Sequence, residues 1–294
     1  MSLSKYEVFL KVVELGSLTK AADVLGFTQS GISHTINSLE TEFGFSLLIR
    51  NRSGVRLTVN GEQVLKPIRE ILNWNEQLKQ KVTHIHGLET GTITIGTFTS
   101  VSVHWLPSMI KQFRSLYPYI EFKLMEGDYL EIEQWIEAGV IDCGFISLPT
   151  RDKFEVFPLK KDRMLAIVSQ EHPISGAPYF PLPQIAHEDF IIPKAGSDYD
   201  VRRVLEKAGI EPNVKFSAGD DYAIIAMVDK GLGMSILPEL VLKRQNHNVV
   251  MLELEEPSFR SLGIAVHSMK HASPATKKFV RHVQEWVGLH AEKN

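Results

Sequence analysis

Residues Ser17–Glu40 read SLTKAADVLGFTQSGISHTINSLE, and the organisation of the whole chain follows from this stretch. Ser17 is a helix-start residue, and Leu18, Ala21, Ala22 and Leu25 recur behind it at helical spacing. Gly26 stops that helix where a residue able to take positive φ is wanted. Thr28 is placed to cap a second helix, along which Ile32, Ile36, Leu39 and Phe43 mark one buried face. The opposite face carries Gln29, Ser30, Ser33, His34 and Asn37, whose side chains donate and accept hydrogen bonds without demanding a charged partner. The small Ala21 and Ala22 let the two helices cross closely. This is the geometry of a helix-turn-helix, whose second helix enters the DNA major groove and reads base edges. Periodicity alone leaves open a helical hairpin of the same pattern that touches no DNA.

The residues that follow narrow the choice. Phe43-Gly44 closes the second helix, and Arg50-Asn51-Arg52-Ser53-Gly54-Val55-Arg56-Leu57-Thr58 sets a Ser-Gly turn between two short extended pieces bearing three arginines. Such a basic wing can hold a phosphate backbone or reach into a minor groove. The expected DNA-contacting set is therefore Thr28, as the cap of the reading helix, with Gln29, Ser30, Ser33, His34 and Asn37, and Arg52 and Arg56 from the wing. Arg50 could instead form an internal ion pair.

Residues 4–64 resemble the winged helix-turn-helix of the LysR-type transcriptional regulators. The resemblance rests on Phe9, Gly16-Ser17-Leu18-Thr19, Ala21-Ala22, Leu25, Gln29-Ser30, Ser33, Ile36, Leu39-Glu40, Gly44, Leu47, Arg50, Leu57-Thr58 and Gly61. Three positions depart from the family pattern: Leu48 stands where Phe is usual, Asn60 where Ala is usual, and Gly31 where a small non-Gly residue or Pro is commoner. Gly31 costs the reading helix roughly 1 kcal/mol relative to Ala, so its first turn is expected to be loose until DNA orders it.

Composition fits this reading. A chain of 294 residues is long for one core, and a net charge of −3 provides no global basic field toward nucleic acid or an anionic membrane. Residues 1–60 hold six Lys and Arg against five Asp and Glu, so any electrostatic footprint on DNA is local. A single cysteine, Cys143, excludes an intrachain disulfide and suits a reducing compartment; inside an apolar strand it reads as a small buried hydrophobe. No signal-like start and no apolar run of about 18 residues is present, so the expected location is the cytoplasm, with no membrane partner.

At the start of the chain, Ser4 and Glu7 have capping-box spacing for a first helix over residues 4–14. After the wing, a helical pattern runs from Asn60 to Val82, with Val64, Ile68, Ile71, Asn75, Leu78 and Val82 on a heptad seam and Leu65 and Leu72 widening it. Pro67 predicts a kink near residues 63–67. The seam reads either as a dimer contact or as a helix packed on its own domain, and the resemblance implies the dimer. His84-Ile85-His86-Gly87 reads as a hinge rather than a metal site.

From Gly91 the pattern alternates: strand Thr92–Gly96, helix Val103–Tyr117, strand Ile120–Glu126, helix Leu130–Ala138, strand Asp142–Ile146. A second series follows, with strands Met164–Ser169, Phe190–Pro193, Val214–Ser217 and Met234–Leu237 and helices Tyr199–Ala208 and Tyr222–Lys230. Strand Ser261–His267 and helix Pro274–Leu289 end the chain. This order predicts a parallel sheet with helices on both faces, and HPISGAPYFPLPQ at residues 172–184 reads as a loop. Leu106-Pro107, Phe113, Tyr117-Pro118, Glu126-Gly127, Gly139, Asp142, His172-Pro173, Val228, Gly231, Gly233 and Leu237-Pro238 extend the resemblance to the family's effector domain, which has the fold of periplasmic solute-binding proteins. The expected architecture is α+β and multidomain. It comprises a winged helix-turn-helix at 1–59, a linker and dimerisation helix with its hinge at 60–87, and a two-lobed α/β effector domain at 88–294. Lobe I takes residues 88–160 and 267–294, and lobe II takes 161–266.

Ligands of open α/β sheets bind beyond the carboxyl ends of strands, where helix N-termini favour anions. Three places qualify: TFTSVS at Thr97–Ser102, Ser147 after its strand, and Gly196-Ser197 before the Tyr199 helix. Each serine alone could be an ordinary helix cap. The resemblance puts Ser100, Ser147 and Ser197 at positions that commonly line the effector cleft; with Ser102 of the same TFTSVS stretch they are the expected effector contacts, and the expected effector is a small polar anion. No P-loop, no G-x-G-x-x-G and no nucleophile–base or metal-ligand spacing occurs, so no catalytic residue, metal or cofactor is expected. The expected function is sequence-specific transcriptional regulation, with double-stranded DNA and a small-molecule effector as partners. The resemblance implies a homodimer through the linker helix assembling to a tetramer, and admits RNA polymerase as a further partner. The rival readings are a solute-binding protein with an accessory helical domain, and an enzyme built on the α/β half.

Overall fold

The computed structural model describes residues 2–51, 54–85, 90–150, 154–243 and 248–290. The chain divides into two compact units, residues 1–88 and 89–294.

In the first unit, α1 (Leu3–Leu15), α2 (Leu18–Leu25) and α3 (Gln29–Phe43) pack on a core that includes Phe9, Val12, Ala21, Ile32, Ile36 and Leu39. Ser17 caps α2 by accepting from Lys20 N, and Gly26 ends it at φ 71° in the left-handed region that its lack of Cβ permits. The start of α1 differs from expectation: the helix begins at Leu3, Ser4 lies inside its first turn with Oγ 2.6 Å from Ser2 Oγ, and no capping box forms. Strands β1 (Leu48–Asn51) and β2 (Gly54–Leu57) pair antiparallel as the wing, and Val55 N donates to Gly16 O (3.0 Å), tying the wing to the turn before α2.

Helix α4 (Val59–Ile85) is 27 residues long and continues through Pro67. Its seam divides in use. Ile68 is buried in the first unit's core, with Val64, Leu65 and Leu72 packed against it, whereas Ile71, Leu78 and Val82 are 43%, 61% and 45% exposed. Trp74 joins the exposed stretch. The hinge expected at His84–Gly87 extends beyond the described residues.

The second unit comprises β3 (Gly91–Thr97), α5 (Thr99–His104), α6 (Leu106–Leu116), β4 (Ile120–Glu126), α7 (Tyr129–Glu137), β5 (Cys143–Leu148) and β6 (Glu155–Ser169), then β7 (Tyr179–Phe180). It continues through β8 (Asp189–Pro193), α8 (Tyr199–Ala208), β9 (Asn213–Ala218), α9 (Asp221–Asp229), β10 (Ser235–Pro238), α10 (Glu239–Leu242), β11 (Val249–Val266) and α11 (Pro274–His290). The helix expected at 103–117 is broken at Trp105, because Pro107 has no N–H to continue an α-helical ladder. The 172–184 loop contains β7 and the start of a 3₁₀ helix over Leu182–His187.

The sheet is mixed rather than parallel. Its order is β10-β6-β11-β5-β3-β4, with β3 parallel to β4 and β5, and β11 antiparallel to both β5 and β6. The reason is that β6 and β11, 15 and 18 residues long, cross between the lobes in opposite directions. Their pairing shifts register between Glu253 and Ser258. Lobe I packs Ile93, Ile95, Phe113, Phe145, Ile264 and Phe279 between sheet and helices. Lobe II has a core on each side of its strands, around Phe180, Phe190 and Ile236 on one and Ile191, Ile225 and Leu237 on the other. Among the described residues no helix is long and apolar enough to cross a membrane.

Candidate functional site

In the first unit, the Thr28 hydroxyl accepts from Gly31 N (3.1 Å), so α3 starts on a satisfied cap with Gln29 and Ser30 on its exposed first turn. His34 and Asn37 are exposed one and two turns further on, and Ser33 is half-buried. The Arg50 guanidinium of β1 reaches across this face: NH1 donates to Ser33 Oγ (2.9 Å) and NH2 to Asn37 Oδ1 (2.7 Å), with Glu40 Oε2 3.6 Å away. Glu40 Oε1 in turn accepts from the Leu47 and Leu48 amides at 2.6 and 3.1 Å, which fixes the approach of the wing to α3. Arg50 is thus internally bonded, and Ser33 and Asn37 are joined to it as one strap. Among the described residues Gln29 and His34 make no side-chain hydrogen bond, leaving their donors and acceptors available outward. Arg56 is exposed on β2, opposite Ile49, and Arg52 lies outside the described residues.

The second unit has a cleft of about 690 Å³ between the lobes and over the crossing strands. Lobe I contributes Phe98, Glu126, Asp128 and Tyr129; lobe II contributes Lys194, Ser197, Asp200, Asp220 and Asp221; Arg260 of β11 forms the floor. The Arg260 side chain is 2% exposed, an extreme position for a cation, and every described contact explains it. Its Nε and NH2 lie 2.8 and 2.7 Å from Asp162 Oδ2 on β6, NH1 donates to Tyr129 Oη (2.8 Å), and NH2 donates to Ser100 Oγ (2.8 Å). The guanidinium also sits 5.5 Å from the Phe98 ring centroid, a cation–π contact. Burial works against the charge, yet Tyr129, Asp162 and Asp200 outweigh it and hold the pKa above the ordinary arginine value. Burial also raises the Tyr129 hydroxyl and the Asp221 carboxyl.

The expected effector residues separate here. Ser197 lines the cleft. Ser100 is fully buried behind Arg260, and Ser102 bonds to Thr97 Oγ1 (3.2 Å), so neither is on the wall. Ser147 donates to Asp200 Oδ1 (2.8 Å), a buried bond from the end of β5 to the first turn of α8 that holds the lobes together; it lines a separate 250 Å³ cavity. Arg203 adds a second tie by donating to Leu148 O (2.8 Å). Sequence reasoning missed Arg260, Asp162, Asp200 and Tyr129. For Arg260 the available signal was a charge at the head of the apolar run in FRSLGIAV, whereas Asp162 stands in the charged run Lys160-Lys161-Asp162-Arg163 and gave no such signal. Cys143 is fully buried, and burial, with the adjacent Asp142 carboxylate, pushes its thiol well above the ordinary value. It is core.

Comparison with known proteins accounts for both units. Residues 3–62 match the family model described as bacterial regulatory helix-turn-helix protein, lysR family, and residues 86–288 match the LysR substrate binding domain. An uncharacterised HTH-type transcriptional regulator of Bacillus subtilis (strain 168), YvbU, is 35% identical over 291 residues, covering 98% of this chain and 99% of its own. A full-length OxyR from Pseudomonas aeruginosa is similar in fold with a TM-score of 0.76 at 18% identity, covering 98% of this chain and 95% of that one. Full-length CbnR complexed with its target DNA is similar with a TM-score of 0.69 at 22% identity, covering 97% and 100%. With one unit matching the DNA-binding model and the other the substrate-binding model, the chain belongs to the LysR family of DNA-binding transcriptional regulators.

Proposed function

We propose that this regulator reads DNA with Gln29, Ser30 and His34 of α3, anchors on phosphate through Arg52 and Arg56 of the wing, and senses a small molecule in the cleft over Arg260. The observation that carries the reading is the exposed first turn of α3, capped by Thr28, with Gln29 and His34 unbonded outward while Arg50 straps Ser33 and Asn37. Side chains of these types form base-edge hydrogen bonds in the major groove. Ser33 and Asn37 reach DNA in this proposal only with Arg50 as a unit. The fold shared with CbnR, which has been solved on its target DNA, supports the same placement.

The exposed Ile71, Trp74, Leu78 and Val82 of α4 supply a contact for a second copy, which would present two α3 helices about a two-fold axis. Further assembly to a tetramer, contact with RNA polymerase and a cytoplasmic location belong to this proposal on the strength of family membership. The regulator role also favours a sensing rather than a catalytic cleft. Of the four expected serines, Ser197 lines the cleft, Ser100 and Ser102 lie behind it, and Ser147 lines the neighbouring cavity. Selection from a random duplex pool with the full chain tests the reading. An inverted repeat with half-sites about one helical turn apart is the expected product. A pool with no enrichment overturns DNA reading, and a single asymmetric half-site overturns the dimer.

A further inference from the structure

The cleft lining is strongly acidic. Among the described residues, Glu126, Asp128, Glu131, Asp200, Asp220 and Asp221 face only Lys194 and Arg260, and both cations are already engaged. Lys194 Nζ is 3.8 Å from Asp128 Oδ2, and Arg260 is committed to Asp162, Tyr129 and Ser100. Three of the carboxylates have local structural duties. Asp128 and Glu131 form the capping box of α7, and Asp220 accepts from Tyr222 N (2.8 Å) at the start of α9. Asp200 is different. It is 4% exposed, its Oδ1 accepts from Ser147 and lies 3.8 Å from Arg203 NH1, and its buried Oδ2 has no hydrogen-bond partner among the described residues while the residue lines the cleft. A buried carboxylate oxygen without a donor is costly, and a ligand that donates to it recovers that cost.

From this geometry we infer that the cleft takes a small organic cation, a protonated amine, with its ammonium donating to Asp200 Oδ2. The inference rests on the cleft being the effector site. Among the described residues, an anion would meet six carboxylates and no unpaired cation. A bare metal ion is disfavoured because no group of three or more His, Cys, Asp or Glu among the described residues is disposed to hold one. A volume of about 690 Å³ suits a metabolite.

The test follows thermal unfolding of the full chain with n-butylammonium chloride, 1,4-diaminobutane dihydrochloride or disodium succinate, each raised through the millimolar range against sodium chloride of matched ionic strength. A saturable rise in midpoint with an amine, absent with succinate, is expected. Asp200→Asn keeps the shape and the acceptor for Ser147, and should weaken the apparent amine affinity about 10- to 100-fold. A saturable rise with succinate and none with the amines overturns the amine while leaving the cleft an effector site. No response to either class overturns it too, and an amine response unchanged in both Asp200→Asn and Asp221→Asn shows binding elsewhere and overturns the assignment. An amine response unchanged in Asp200→Asn alone, with the ligand-free midpoint moved, makes Asp200 purely structural and likewise overturns the assignment to its Oδ2. Binding of the selected duplex, measured in parallel, reports separately on the regulator reading.

Discussion

Arg260→Met is expected to destabilise the 89–294 unit by about 3–5 kcal/mol, because removing one partner of a buried ion pair strands the other. The stranded groups can be named. Among the described residues Asp162 would keep only the Leu240 amide on Oδ1 (3.0 Å), and the Tyr129 and Ser100 hydroxyls would each lose the guanidinium at 2.8 Å. Met preserves most of the stem's packing, so the loss reports charge and hydrogen bonding rather than a cavity. Adding Asp162→Asn should recover much of it: the amide oxygen still accepts from Leu240 N, and the charge of Asp162 goes with that of its partner. Urea unfolding of the full chain, followed by circular dichroism and analysed as two transitions, measures both variants. A double variant as unstable as the single one would mean that Arg260 acts by packing, not by pairing with Asp162.

The second large effect is expected at Gly61→Ala in the other unit. Gly61 lies in the first turn of α4, where a Cβ would overlap the Leu47 carbonyl oxygen and stand 3.0 Å from Leu57 Cδ2. That carbonyl also accepts from Thr58 N (2.9 Å), and the Thr58 hydroxyl accepts from Gly61 N (2.9 Å) while donating to Ser46 O (2.8 Å). A backbone oxygen held this way cannot rotate aside, so the cost should lie near the top of the usual overpacking range of about 1–3 kcal/mol. The displacement also propagates, since the Leu47 amide binds Glu40 Oε1 (2.6 Å) and Glu40 is part of α3. The variant should lose stability in the 1–88 unit and affinity for DNA, with the 89–294 transition unchanged. Wild-type stability and DNA binding would show that the α4–wing junction is looser than the structure describes.

What the sequence revealed and what it hid divide along physical lines. The helix-turn-helix, its Ser17 and Thr28 caps and the wing are local, governed by periodicity and turn chemistry over a few residues, and they are legible without coordinates. The strap over α3 is not, because Arg50 reaches Ser33 and Asn37 from 17 and 13 residues away. The cleft is hidden more deeply: Arg260 meets Asp162 across 98 residues, and its other partners across 131 and 160. Hydroxyls beyond strand ends drew attention to Ser100 and Ser147, which the fold uses to hold Arg260 and to join the lobes. The acidic wall came from caps of α7 and α9 that look, in sequence, like ordinary helix starts. The parallel order holds for β3 with β4 and β5 and for β8 with β9, but pattern alone cannot show that β6 and β11 run between lobes in opposite directions.

The central claim is that α3 reads bases, and its most direct test is fluorescence anisotropy of the full chain on the selected duplex and on a scrambled one. Gln29→Ala should weaken the selected duplex about 10- to 100-fold and the scrambled one little. Arg56→Ala, by contrast, should weaken both alike and lower the salt slope by about 1. If Gln29→Ala, Ser30→Ala and His34→Ala each bind both duplexes as the wild type does, α3 is not the reading helix and the account is contradicted.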